Sequence, residues 1–326
     1  MSWALLSNSM TPGRERLLPG YSVVVPVYNS APVISLLTSR VRAVLERLGQ
    51  PFELILVNDG SRDGSWNEIK ELSVKYTWVR GLCMMRNYGQ HNALLAGIRA
   101  ARYDITITID DDLQHPPEEL PKLLVELTED FDVIYGPPEV EQHGFLRDVA
   151  SIITKVALKT AMGGEIARKV SALRVFRTQI RDAFVAYHSP FVSVDVLLTW
   201  GTSRFGAVKV RHEPRTQGKS NYSFRKLTLH ALNMMTGFSV LPLQLGSIVG
   251  FTFTFLGFVV LSYVVGRYLL NGSSVSGFPF LASIIAIFSG AQLFALGILG
   301  EYLARIHFRT MDKPIYAVRE ATWEIT

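Results

Sequence analysis

The chain has 326 residues, a formal net charge of +5, 48% hydrophobic residues and a single cysteine. That size admits one large domain with an appendage, or two domains, and a lone Cys83 excludes an internal disulfide and a cysteine-based zinc site. The modest positive charge suits a surface of anionic lipid or a phosphate-bearing substrate, with no nucleic acid partner indicated.

From the N-terminus, "MSWALLSNSMTPGRERLLPG" lacks the basic start and sustained apolar core of a signal peptide, so residues 1–20 read as a flexible leader. Five strand patterns follow: "YSVVVPVYN", "FELILVN", "WVRGLCMM", "YDITITID" and "FDVIYG". Cys83 falls in the third, as a buried strand residue. Helical patterns separate them: "APVISLLTSRVRAVLERLG" after the first, "QHNALLAGIRAAR" after the third and "PPEELPKLLVELTED" after the fourth. The alternation predicts an α/β domain over residues 21–211, a Rossmann-like, mostly parallel sheet with helices on both faces. Such sheets bind ligands beyond the carboxyl ends of their strands. Polar clusters fall there: Tyr28-Asn29, Asn58-Asp59, Arg86-Asn87 and Asp110 to Asp112.

Two later segments are amphipathic. In 145–162, Phe145, Val149, Ile152 and Val156 oppose Arg147 and Lys155; in 222–239, Phe224, Leu227, Ala231 and Phe238 share a face. Basic amphipathic helices lie in the headgroup layer, although packing on the sheet serves the first segment equally well. Residues 212–240 form a basic juxtamembrane segment. Leu241–Gly266 and Val275–Gly300 contain no charged residue, and each exceeds the roughly 20 residues a bilayer-crossing helix needs. They predict a transmembrane hairpin over 241–304, with spans near 243–266 and 277–300. The bias of Arg225, Lys226, Arg305, Arg309 and Lys313 over the loop's Arg267 puts the catalytic domain and the 305–326 tail in the cytoplasm. Gly246 and Gly250 make a small-xxx-small pair, able to pack helices within one subunit or in a homo-oligomer.

The aspartates invite a metal reading. At a strand end, Asp110 and Asp112 would share one side. Two such carboxylates suit one Mg²⁺ or Mn²⁺, completed by substrate phosphates, with Gln114 as a neutral oxygen ligand. A solvated acidic turn capping the next helix is the plainer alternative; Pro116 to Glu119 look like a helix start. His91 and His115 flank these motifs, where hydrogen-bonded structural roles are commoner than ligation.

"VVVPVYN", "VNDGSRDGS", "RNYGQHNALLAG" and "TIDDDLQHPPEEL" occur in this order in family 2 glycosyltransferases of the GT-A fold, which the chain resembles. With "RHEPRTQGKSNYSFRKL" and a two-span hairpin ending "GILGEYLARIH", the resemblance narrows to the polyprenyl-phosphate glycosyltransferases. These include dolichyl-phosphate mannose synthases, phage-type bactoprenol glucosyltransferases and, most similar, undecaprenyl-phosphate aminoarabinose transferases. The resemblance implies a nucleotide-sugar donor, with uridine as its base, and a lipid-phosphate acceptor in the bilayer. A flippase or a lipid-sugar-using transferase would stand downstream.

Carried over by position, Pro26, Tyr28 and Asp59 would line the nucleoside pocket. Asp110, Asp112 and Gln114 would hold the metal and donor diphosphate. Arg215, Gly218, Ser220, Tyr222 and Lys226 match the segment that meets the phosphates from the membrane side. Arg174, with Arg147, would hold the acceptor phosphate.

Three departures stand out: Ser30 replaces a usual Glu, "GPPEV" lacks a usual Arg, and Ala172 stands where some members have an Asp proposed as base. The acceptor needs little help from a base. A phosphate monoester has its second pKa near about 6 and is mostly dianionic at neutral pH. Asp111 or Asp112 is the candidate if a base assists. The competing readings are a processive polysaccharide synthase, whose Gln-x-x-Arg-Trp motif is absent, and a catalytically silent membrane scaffold.

Overall fold

The computed structural model describes residues 17–139, 162–189, 192–213, 241–271, 277–311 and 313–324. Arg147, Arg215, Gly218, Ser220, Tyr222 and Lys226 lie outside the described residues, as do the amphipathic segments apart from Met162.

Four strands build the centre: β1 (Leu18–Val27), β2 (Phe52–Asn58), β3 (Val79–Met84) and β4 (Tyr103–Thr108), with β4, β1, β2 and β3 adjacent and parallel. β5 (Val133–Tyr135), β6 (Arg174–Arg177), β7 (Phe205–Ala207) and β8 (Val318–Ala321) complete an eight-stranded sheet in the order β7-β5-β6-β4-β1-β2-β3-β8. Only β6 and β8 run against their neighbours. The mostly parallel sheet read from the alternating pattern is the one observed. β1 begins at Leu18, inside the stretch expected as leader.

The sheet is covered on both faces because strand side chains alternate. Val23, Val25 and Val27 join the core under α1 (Ala31–Leu48), α2 (Ser65–Lys75) and α4 (Leu120–Glu126). Val24, Ile55 and Val57 face α3 (Gln90–Ala100) and α6 (Val194–Gly201). A short α5 (Gly164–Ala167) precedes β6. Cys83 is buried in β3, where it accepts a hydrogen bond from Asn58 Nδ2 at 3.3 Å.

Two helix readings change. The sequence pattern assigns no helix between β2 and β3, yet α2 stands there; only Ile69 and Leu72 of its apolar residues are buried, too sparse a stripe to register. The helix expected from Pro116 is instead a 3₁₀ turn, Pro117–Glu119, followed by the seven-residue α4. Pro121 lacks the N–H that a continuous helix would use, so the helix restarts around it.

The two uncharged runs form α7 (Leu241–Asn271) and α8 (Phe278–Thr310), with stretches long and apolar enough to cross a membrane at Pro242–Arg267 and Ile287–His307. Phe253 and Phe288 meet edge to face at 5.8 Å. A Cβ at Gly257 would touch the Phe288 ring at 3.1 Å, and one at Gly246 would meet Ile298 Cδ1 at 3.3 Å. Gly250 has nothing within 4 Å, so the seam runs through Gly246, Phe253 and Gly257 and not through a Gly246–Gly250 pair. Phe251, Phe255 and Phe258 remain exposed, as a lipid-facing surface would be.

The expected tail returns to the sheet. β8 pairs antiparallel with β3, Thr322 Oγ1 accepts the Gly81 N–H at 2.9 Å, and Trp323 lies over the Arg80 guanidinium at 4.0 Å. Trp66 Nε1 donates to Glu320 at 2.9 Å. Its edge strand is only four residues, which is why no strand pattern stood out.

Candidate active site

Because β1 to β4 are parallel, the turns after them meet along one edge, and hydrogen bonds knit them into one surface. Asn29, with φ of 54°, donates its N–H to Ser61 Oγ at 3.0 Å and accepts the Arg62 N–H at 2.8 Å. Asp63 caps α1, accepting the Ala31 N–H at 3.1 Å. Gly60 sits at φ +65°, and a Cβ there would fall 2.4 Å from the Arg86 carbonyl carbon, so the β2 and β3 turns approach as only glycine permits.

Asp59 is the clamp between these turns. It is 2% exposed, and its two oxygens accept the N–H groups of Tyr88 and Gly89 at 2.7 and 2.8 Å. Burial raises its carboxyl above the ordinary range, while the two backbone donors pull the other way. Pro26 is buried in β1, and Tyr28 at its end is exposed. Tyr88 carries Arg86 over its ring at 4.6 Å.

β4 ends at Thr108, so the three aspartates occupy a turn and not the strand end that the alternation argument assumed. Leu113, with φ of 58°, turns the chain after them and buries its side chain in the core. Asp110 accepts a hydrogen bond from Gln90 Nε2 at 2.6 Å, Asp111 Oδ2 accepts the Tyr28 N–H at 3.2 Å, and Asp112 Oδ1 accepts the Gln114 N–H at 3.1 Å. The Asp110 carboxyl is pushed up to about 7. Loss of water around it is the first cause and the charges of Asp112 and Asp111 the second, with Arg174 and Gln90 opposing.

That raised proton affinity is what an excess of negative charge produces, and a cation would relieve it. The donors are all oxygen, which suits a hard divalent ion. Among the described residues no group of three His, Cys, Asp or Glu side chains converges to hold a metal. Asp110, Asp112 and Gln114 could supply at most part of a divalent ion's oxygen shell, the rest left to phosphates or water.

Arg174 lies in β6 between β4 and β5, so it is neither a surface nor a strand-edge arginine. It is 2% exposed, and its Nη1 sits 2.6 Å from Asp195 Oδ1 in α6. Tyr135 Oη donates to the same oxygen at 3.1 Å. The Ala172 carbonyl accepts Thr108 Oγ1 at 3.1 Å, so backbone and methyl occupy the position expected for a base.

Sequence reasoning passed over Gln90 and Asp195. Asp195 had a visible signal: a single acid inside the otherwise uncharged run "FVSVDVLLTW". Gln90 opens α3 at the carboxyl end of β3, where any polar residue is a candidate.

Both histidines have structural partners. His91 Nδ1 accepts the Val194 N–H at 3.3 Å. Ser171 Oγ donates to the Gly136 carbonyl at 2.7 Å, so His115 Nε2, 3.3 Å away, must be the protonated nitrogen. Burial, His212 and Arg174 push the His115 imidazole down to about 4 against the pull of Asp112, leaving it neutral at pH 7. A cavity of about 540 Å³ lies elsewhere, between α1 and α2 beside Thr38, Arg42 and Tyr76.

Residues 22–190 match the glycosyl transferase family 2 model. Over 302 residues the chain is 34% identical to the undecaprenyl-phosphate 4-deoxy-4-formamido-L-arabinose transferase of Shewanella sediminis, covering 92% of this chain and 91% of that protein. It is also 34% identical to the transferase of the same description from Proteus mirabilis, covering 92% and 93%. Among solved structures, glucosyl-3-phosphoglycerate synthase from Mycobacterium tuberculosis, in complex with Mn²⁺, UDP-glucose and phosphoglyceric acid, superposes with a TM-score of 0.51. That match has 16% identity and covers 67% of this chain and 78% of that one.

Proposed function

Because the chain belongs to glycosyl transferase family 2, we propose that it moves a single sugar from a nucleotide-sugar donor to undecaprenyl phosphate at the cytoplasmic face of a membrane, with inversion at the anomeric carbon. The observation that carries this reading is the aspartate turn at the carboxyl edge of the parallel strands, in a chain that continues into two membrane-length helices. The acceptor follows from relatives described as undecaprenyl-phosphate transferases along nearly their whole length. A uridine nucleotide follows more loosely, from the mycobacterial complex.

In this reading Tyr28, with the β2 and β3 turns ordered by Asp59, receives the nucleoside. Asp110 and Asp112, with Gln114, hold a divalent cation, Mg²⁺ or Mn²⁺, together with the donor diphosphate. When bound, such an ion supplies Lewis-acid stabilisation to the departing diphosphate. Asp110 must surrender its proton for this, and Gln90 steadies the resulting carboxylate from one side.

The acceptor phosphate arrives as an anion and is already nucleophilic, so Ala172 is compatible with turnover. The harder task is bringing two anions into line. Arg174 contributes positive potential beside Asp110 from within the protein, while Asp195 fixes its guanidinium. Arg174, expected to hold the acceptor phosphate, is buried against Asp195, so direct phosphate contact is assigned to Arg215, Ser220, Tyr222 and Lys226, which the family resemblance matches, and to Arg147. Asp111 is tied to the Tyr28 N–H and is better placed to order the turn than to take a proton.

The proposal is tested by incubating the purified full chain with undecaprenyl phosphate and a panel of nucleotide sugars, each with Mg²⁺ or Mn²⁺. One donor should yield a lipid-extractable sugar phosphate, released one sugar at a time. Polymer formation would favour a processive synthase, and no product from any donor would favour the silent scaffold.

A further inference from the structure

The chain leaves the domain toward the first membrane helix through Arg211, His212 and Glu213, and these three residues are fastened to the stretch that follows the aspartate turn, Gln114 to Glu119. The Glu213 N–H donates to the Gln114 carbonyl at 2.8 Å. Arg211 Nε donates to Glu119 Oε1 at 2.8 Å and its backbone N–H to Oε2 at 3.3 Å. Arg40 of α1 grips Glu118 with two donors, at 3.0 and 2.7 Å, and reaches Glu213 at 3.4 Å. The His212 and His115 rings meet edge to face at 5.1 Å.

The charges in this cluster balance. Glu118, Glu119 and Glu213 face Arg40, Lys122 and Arg211, so the cluster has no surplus positive charge to offer an anion. Exposed ion pairs alone hold little. Here the anchor is Glu119, 2% exposed, which takes both a side chain and a backbone N–H of Arg211. The backbone bond to Gln114 adds a contact that does not depend on side-chain charge.

We infer that Arg211–Glu213 is a strap that fixes the start of the juxtamembrane segment, at His212 and Glu213, beside the aspartate turn and so sets where the acceptor phosphate meets the donor. This rests on the acceptor proposed above. The geometric reason is reach: in the sequence Arg215 follows Glu213 by two positions, and two extended residues span at most about 7 Å. Holding Glu213 on Gln114 therefore starts the basic juxtamembrane run, the part of the sequence that carries Arg215, beside the turn proposed to hold the metal. Arg40, Glu119, Arg211 and Glu213 act through the strap and are positioning residues.

The test uses the full-length protein in lipid nanodiscs and the double variant Arg211→Gln/Glu213→Gln. Both side chains are well exposed, 62% and 41%, so the variant should fold. Amide exchange at residues 112–115 should quicken at least tenfold. The KM for undecaprenyl phosphate should rise five- to tenfold, with the Kd for UDP in Mn²⁺ within twofold of the wild type and an unchanged melting temperature. Arg211→Lys with Glu213 intact should restore most of the acceptor KM.

Unchanged exchange would overturn the strap. Faster exchange with an unchanged acceptor KM would overturn its positioning role, as would parallel losses of nucleotide binding and melting temperature. If the wild type transfers nothing to the lipid, the acceptor reading and the positioning role fail together, and exchange still decides whether the strap holds the turn.

Discussion

Arg174 Nη1 lies 2.6 Å from Asp195 Oδ1, and both residues are almost completely buried. Removing one partner strands a charge in the interior, which costs about 3–5 kcal/mol. Asp195→Ala should therefore lower the melting temperature sharply, measured in detergent or nanodiscs. Tyr135→Phe, which removes only the hydroxyl bonded to the same oxygen, should cost about 1 kcal/mol. Equal losses in the two variants would contradict a buried ion pair with an auxiliary hydrogen bond.

With Asp110 as a ligand of the proposed ion, its raised carboxyl would make metal binding pH-dependent. At its value of about 7, proton and cation compete for the same oxygens. Apparent affinity for Mn²⁺, measured by calorimetry, should weaken about tenfold per pH unit below 7 and level off above it. Asp110→Asn should bind weakly with little pH dependence. In the metal-free protein the sign is opposite: from its ordinary 3.8 up to about 7 the folded state keeps a proton that the unfolded state has released. Stability from this group therefore falls as pH rises through that window. A Mn²⁺ affinity independent of pH between 5 and 8 would contradict the arrangement.

Asp59 should act on the donor side alone. Asp59→Ala leaves the Tyr88 and Gly89 N–H groups without their buried acceptor, a loss of about 1–3 kcal/mol. The expected outcome is a raised KM for the nucleotide sugar and faster amide exchange at residues 88–89, with the lipid KM unchanged. A variant altered only in its lipid KM would show that the clamp serves another purpose.

The helix seam separates two glycines that look alike in the sequence. Gly257→Leu would drive a side chain into Phe288, whereas Gly250→Leu would meet open space. Overpacking costs about 1–3 kcal/mol, so the first should lower thermal stability and the second leave it near wild type. The reverse order would mean that the helices pair differently, or that Gly250 packs against another copy of the chain.

Much of this was readable in advance, for physical reasons. β1 and β2 are long apolar runs, β4 alternates Ile with Thr, and turn residues close each of them, so their pattern is loud. Membrane-length helices announce themselves by the absence of charge. The aspartate turn was legible as a site because charge at a strand's carboxyl edge is rare without a use, although β4 stops at Thr108 and the side-by-side geometry expected of a strand does not apply. The rest depends on distance in three dimensions. Asp195 meets Arg174 across 21 residues, Glu213 meets Gln114 across nearly a hundred, and β8 finds β3 only after the chain has traversed α7 and α8. No local pattern encodes such pairings.

The account turns on carboxylates at the end of β4 serving sugar transfer to a lipid phosphate. The direct measurement is transfer of radiolabelled sugar into extractable lipid by membranes containing the wild type, Asp110→Asn or Asp112→Asn at matched expression. Each substitution should cut the initial rate at least a hundredfold while the protein stays folded and membrane-bound. Lipid labelling at the wild-type rate in either variant would contradict the account.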